Sequence, residues 1–200
     1  MKRLIAVAIL LTITTPALAQ SRTDARRIAK AAAVIHQAPV PSESAGAAYT
    51  KDVRFNWIPI VSFFGAFGSA GHGVVFDRDG AGTLTNPRIV HRAGIGGTAT
   101  IGVGLPWSLS INERVLVFDS LAATNTFASK RHVSASAKLY AAAGVPGKLW
   151  VAETGPTIGS QPGGKVVWKR DVFVGLFASA GVSAEVKAQW PKREHHRVRR

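Results

Sequence analysis

The residues that could act as nucleophiles, bases or metal ligands are few and badly spaced for chemistry. A serine nucleophile on a strand-to-helix elbow needs glycine two residues before it and two after it. Ser69 has Gly71 after it but Phe67 before it, and Ser179 has Gly181 after it but Phe177 before it. The chain holds no cysteine to serve instead. Gly94-Ile95-Gly96-Gly97 is glycine-rich, yet the phosphate-cradling pattern needs a further glycine where Ala99 stands, and no Gly-Lys-Ser/Thr occurs. Asp77-Arg78-Asp79-Gly80 opens like a calcium loop, but its twelfth position is Arg88, where a bidentate glutamate is required, so a turn is expected. His36, His72, His91, His132, His195 and His196 include no pair at the i, i+4 spacing that sets two ligands on one helical face. The expectation is a protein that is no enzyme, binds no metal and uses no cofactor.

What the sequence does carry is positive charge. Lys and Arg number 25 against 11 Asp and Glu, a formal +14. Such a surface attracts polyanions, whether anionic lipid headgroups, acidic glycans or nucleic acid. Two clusters stand out. One is Arg22, Arg26, Arg27 and Lys30; the other is Lys192, Arg193, Arg197, Arg199 and Arg200. Both are candidate headgroup contacts, each cation near an anionic surface contributing about 1 kcal/mol.

The elements that must hold these clusters differ. Thr23 to Gln37 (TDARRIAKAAAVIHQ) predicts a helix, with Thr23 or Asp24 as cap and alanine favouring the interior. Ala25, Ile28, Ala32 and Ile35 share one face and the cations another. A helix of this kind either packs on a core with its cations solvated or lies on a membrane surface. The second cluster belongs to PKREHHRVRR, a tail without apolar pattern expected to be a disordered basic arm.

Residues 1–19 read as a secretory signal: Met1-Lys2-Arg3, the apolar run LIAVAILL, then Ala17-Leu18-Ala19 before the cut. Losing Lys2 and Arg3 with that segment lowers the formal charge from +14 to +12. Export makes nucleic acid an unexpected partner. Export without cysteine suits the bacterial envelope, periplasmic or secreted. No later run reaches the length of a membrane-spanning helix, about 18 apolar residues.

From Val53 onward, short apolar runs alternate with Gly, Pro, Asn and Asp. Strands are expected at 56–67, 73–76, 89–90, 98–103, 114–118, 132–142, 149–152, 165–169, 171–177 and 182–188. A turn is expected at 77–82 and a short helix at Asp119–Ser129, capped by Asp119 or Ser120. Glycines inside strand-like runs indicate bends and close backbone approach in a curved sheet. The fold class is α+β: a mostly antiparallel, strongly curved or barrel-like sheet with an N-terminal helix and one short helix between strands. Its organisation reads as a signal at 1–19, a helix and linker at 20–49, one domain at 50–188 and a basic tail at 189–200. The tryptophans, Trp57, Trp107, Trp150, Trp168 and Trp190, suit either a membrane–water interface or the rim of a core.

Four stretches resemble the SYLF-domain family. Gly71 to Gly80 (GHGVVFDRDG, continuing to Pro87) resembles that family's glycine-x-glycine, strand and turn. Val115 to Ser129 resembles its strand running into a short helix, Ser134 to Gly147 its small-residue strand, and Gly175 to Glu185 its closing strand. Departures are Leu84-Thr85 where Trp-Ser is common, Thr100 where glutamine is common, a long segment at 105–112, and an extra Ala-Ser-Ala-Gly near the end. The resemblance implies a non-catalytic lipid-binding domain, with phosphoinositide ligands in eukaryotic members. In a bacterial envelope an anionic phospholipid or other acidic lipid or glycan would replace them, at a peripheral membrane contact. The alternatives are a small outer-membrane β-barrel, against which the predicted strands look short, or an interaction module for an acidic partner.

Overall fold

The computed structural model describes residues 22–57, 64–105, 107–160 and 163–192. The expected signal segment lies outside them, as do Arg193, Arg197, Arg199 and Arg200 of the tail. A helix over residues 22–37 (α1) leads into nine strands interrupted by one short helix. The strands are β1 (Gly46–Trp57), β2 (Phe64–Arg78), β3 (Leu84–Gly104), β4 (Trp107–Phe118), β5 (His132–Val145), β6 (Lys148–Thr154), β7 (Thr157–Gly159), β8 (Lys165–Val174) and β9 (Phe177–Pro191). The helix between β4 and β5 is α2 (Leu121–Ser129).

All pair antiparallel in one sheet of order β6-β5-β9-β3-β2-β1-β4-β8, with β7 beside β5. The sheet curls until its two ends meet. The Gly147 N–H, in the β5–β6 turn, donates to the Phe173 carbonyl of β8 at 2.8 Å. The expected curved, barrel-like antiparallel sheet with two helices is therefore present, as a nearly closed barrel.

Several elements differ from expectation in length. The run 56–67 is two strands, β1 ending at Trp57 and β2 starting at Phe64. Segments 89–90 and 98–103 belong to one strand of 21 residues, β3. Ala93-Gly94-Ile95-Gly96-Gly97 separates the two segments because its glycines give little strand propensity of their own. In the barrel those glycines allow close approach instead: a Cβ on Gly96 would sit 2.3 Å from both the Phe67 ring and the Ala184 carbonyl. Segments 165–169 and 171–177 merge into β8, and the chain turns at Gly175, whose φ of +154° favours glycine. Strand β1 starts at Gly46, inside the expected linker.

The two helices pack on opposite faces of the same end of the barrel. Ala31 and Ile35 of α1 are buried on the outer wall with Ala47, Tyr49, Val74, Phe76 and Val115. Phe127 and Ala128 of α2 close the inner side against Ala48, Val75, Val90 and Phe118. Ser120 caps α2, its side chain accepting from the Ala123 N–H at 3.2 Å.

Candidate functional site

Successive side chains of a strand point to opposite faces, so the register sorts every strand into an outer set, on the α1 side, and an inner set. Tyr49 of β1 lies under α1, so odd residues of β1 face out; register then carries the assignment around the barrel. Beyond α1 the outer set is apolar on β1, β3, β4, β5, β8 and β9, and β6 adds Trp150 and Ala152 with Lys148 and Thr154 at its two ends. It reads Val53, Phe55, Trp57 on β1; Ile95, Ile101, Val103 on β3; Trp107, Leu109, Ile111 on β4; and Val172, Val174 on β8. On β5 it is Val133, Ala135, Ala137, Leu139, Ala141, Ala143, Val145, and on β9 Ala178, Ala180, Val182, Ala184, Val186, Ala188. Among the described residues at these positions Lys148 alone is charged.

The inner set is polar: Asp52, Arg54 and Asn56 on β1; Ser108, Ser110, Asn112 and Arg114 on β4; Ser179, Ser183, Glu185 and Lys187 on β9. They line an internal cavity of about 420 Å³. Exposure runs opposite to that of a water-soluble barrel. Ile95, Ile101 and Val103 are 72, 75 and 77% exposed, whereas the interleaved polar residues are mostly sheltered, Arg114 and Lys187 being the exposed ones. Single exposed apolar residues are ordinary, but an apolar surface continuing across adjacent strands marks an interaction site.

Packed side chains narrow the lumen towards both ends. At the helix end Gln189 Nε2 donates to the Phe127 carbonyl at 2.9 Å, and His132 Nε2 lies 3.0 Å from the Thr126 carbonyl, fixing α2. At the far end the β8–β9 connection crosses the mouth. Phe173, nearly fully buried, meets Phe177 edge-on with ring centroids 5.5 Å apart. Gly144 leaves the room Phe173 occupies, since a Cβ there would come within 2.4 Å of its ring. Inside, Arg92 pairs with Asp52, Lys138 with Glu153, and Arg54 and Lys187 with Glu185.

The tryptophans fall into two groups. Trp57 and Trp107 face each other in register on the outer wall away from α1, and Trp150 is outward beside the β5–β6 turn, under the Lys148 ammonium. Trp168 packs beside the α1 cluster and Trp190 stacks on His91.

The candidate basic residues are partly engaged. Lys30 Nζ donates to Glu113 Oε1 at 3.0 Å, Arg27 lies 3.7 Å from Asp24, and Lys192 also pairs with Asp24. The Lys30–Glu113 and Lys192–Asp24 pairs strap α1 to the barrel wall, while Arg27–Asp24 lies within the helix. Arg22 and Arg26 are exposed on its outer side. The structure brings Lys192 to α1 through Asp24. Sequence reasoning missed Asp24 and Glu113 as anchors, and it missed the two-faced strands. The signal that carries the two faces is the period-two alternation of ASAGVSAEVKAQW.

Glu113 sits at the α1 end, outside the apolar surface. Burial pushes its carboxyl up, but hydrogen bonds from Tyr49 (2.6 Å) and Lys30, with the charges of Lys30 and Lys51, outweigh that and hold it below the usual range. A depressed carboxyl contributes stability that is complete above its unfolded value and lost as pH falls through the lowered folded value. Glu113→Gln should therefore destabilise the α1 packing by about 1.5–3 kcal/mol at neutral pH and flatten the acid limb of the stability profile. Urea unfolding across an acid pH series checks this; an unchanged acid limb would count against the strap.

Among the described residues no group of three or more His, Asp or Glu could hold a metal ion, and no helix is long and apolar enough to cross a membrane. No family model, curated protein or solved structure matches the chain.

Proposed function

We propose that this protein is a lipid-embedded β-barrel whose apolar outer wall contacts acyl chains. One observation carries the proposal: the exposed positions of β3, β5 and β9 are mostly the apolar ones, and the sheltered positions the polar ones. Apolar-out, polar-in alternation on antiparallel strands is what a barrel needs in hydrocarbon. Most strands are longer than the sequence suggests, β6 with 7 residues and β7 with 3 being the short ones. A spanning strand needs about 9–11 residues, and β5, β9 and β3 have 14, 15 and 21. Outward Trp57, Trp107 and Trp150 suit an aromatic girdle at a membrane–water boundary. The strand order is not the up-and-down order of outer-membrane barrels, so the proposal rests on the faces of the sheet.

The resemblance to a lipid-binding family agrees with this assignment, and the expected export signal makes a bacterial envelope membrane its setting. Lipid contact is then made by the barrel wall, with the basic helix holding headgroups beside it. Arg22 and Arg26 are free to do so.

Fluorescence quenching by brominated phospholipids tests the proposal. The full chain, folded into phosphatidylcholine–phosphatidylglycerol vesicles, should float with them in a salt-insensitive way. Acyl-chain bromines should quench its emission, and replacing Trp57, Trp107 and Trp150 by Phe should remove most of that quenching. A chain that stays monomeric in detergent-free buffer and does not float would overturn the proposal.

A further inference from the structure

The ring of ladders is broken once among the described residues, between β6 and β8. Beside that seam stand two cations without an ion pair among the described residues; Arg114 lies within electrostatic reach of Asp52, whose ion pair is with Arg92. Arg114 and Lys169 face each other in register across β4 and β8, both on the inner face. Directly opposed like charges repel. Among the described residues neither makes an ion pair or side-chain hydrogen bond, and both are exposed at the break. Three of the inner carboxylates are committed elsewhere: Asp52 to Arg92, Glu153 to Lys138, and Glu185 to Arg54 and Lys187. Asp171, on the same face two residues beyond Lys169, offsets only one of the two charges.

The neighbourhood is amphiphilic. Leu149, Val151 and Ala142 line the lumen next to Arg114, and the seam between β6 and β8 opens sideways onto the apolar wall. An open sheet edge is costly in hydrocarbon, so a polar group at the seam would relieve it. Resting on the lipid-embedded reading, we infer that the β6–β8 seam admits the phosphate monoester headgroup of a membrane lipid onto Arg114 and Lys169. Its acyl chains remain along the outer wall. The two cations donate charge-assisted hydrogen bonds to the phosphate oxygens, which turns their mutual repulsion into joint attraction. Phosphate chemistry alone would also fit a soluble ester. The lateral opening favours the lipid.

The test uses the full chain in a neutral detergent and three probes: dioctanoyl phosphatidic acid, dioctanoyl phosphatidylcholine and glycerol 3-phosphate, with binding measured by calorimetry. Phosphatidic acid should bind at least about tenfold more tightly than either other probe. The double variant Arg114→Gln/Lys169→Gln should lose about tenfold, while Arg114→Lys/Lys169→Arg keeps the affinity and Lys130→Gln/Arg131→Gln, at exposed positions after α2, leaves it unchanged. Unaltered circular dichroism and thermal midpoint show that the double variant is folded. Removing a repelling pair should not destabilise it. Equal affinity of the double variant would overturn the site. Glycerol 3-phosphate binding as tightly as phosphatidic acid would overturn the lipid as its occupant. Vesicle flotation is read in parallel. If it persists while phosphatidic acid preference is absent, the seam site fails and the embedded barrel stands; if the unmodified chain does not float, the embedded barrel itself fails.

Discussion

Arg at position 182 or position 101 should drive the protein off lipid, while a charge one residue away should not. Val182 and Ile101 face outward on β9 and β3, about half and three-quarters exposed. Arginine on the lipid face of a transmembrane barrel costs about 2–4 kcal/mol near the midplane. Val182→Arg and Ile101→Arg together should shift partitioning from vesicle to aqueous or aggregated fractions by several orders of magnitude. Ser183→Asp is the control. Its side chain lines the lumen beside Val182, so it should leave flotation intact. A water-soluble barrel would behave in the opposite way: arginine on an exposed wall would be harmless or would improve solubility, and aspartate among sheltered residues would destabilise. Flotation of the three variants, with folding checked in detergent, separates the cases. Equal flotation of all three would remove the apolar wall as the lipid contact.

The sheet was legible because its β-branched runs and turn residues were strong local signals. The α2 cap could be narrowed to Asp119 or Ser120, side-chain oxygens before an alanine-rich run, and the structure uses Ser120. Asp79 likewise marks its turn, accepting from the N–H groups of Ala81 and Thr83. Strand length was not legible. A chain such as AGIGGTATIGVG offers few side chains for local propensity to act on, and only the partners across the ladder, Phe67 beside Gly96 and Ala99 beside Gly181, show why glycine is needed.

The candidate site was less legible still, for a related reason. Clusters of cations are contiguous in sequence and easy to see, so α1 and the tail drew the functional assignment. The apolar wall and the polar lumen are assembled from alternate residues of strands far apart in the chain, and alanine, glycine and serine carry much of the pattern. Alanine outward and serine inward differ little in hydropathy, so Ser134 to Ala143 looks uniform until register with β9 sorts it. The Lys30–Glu113 and Lys192–Asp24 pairs span 83 and 168 residues, beyond any local window.

Phe127→Ala should be the most damaging single substitution, costing about 3–5 kcal/mol. Phe127 is only 2% exposed and meets Phe118 edge-on at 5.1 Å between ring centroids, where α2 plugs the helix end of the lumen. Around it Val75 and Val90 are fully buried, and the backbone on either side is held by Gln189 and His132. Such a site cannot collapse onto the gap, because three strands and the helix are fixed by their own hydrogen bonds; the cavity term therefore adds to the lost transfer energy. The outer wall does not change in this variant, so lipid flotation should persist at temperatures where the barrel stays folded. Chemical unfolding in detergent measures the first effect and flotation the second. A loss below about 1 kcal/mol would mean that α2 is not the plug, and that the lumen owes its narrowing to Phe173 and Phe177 alone.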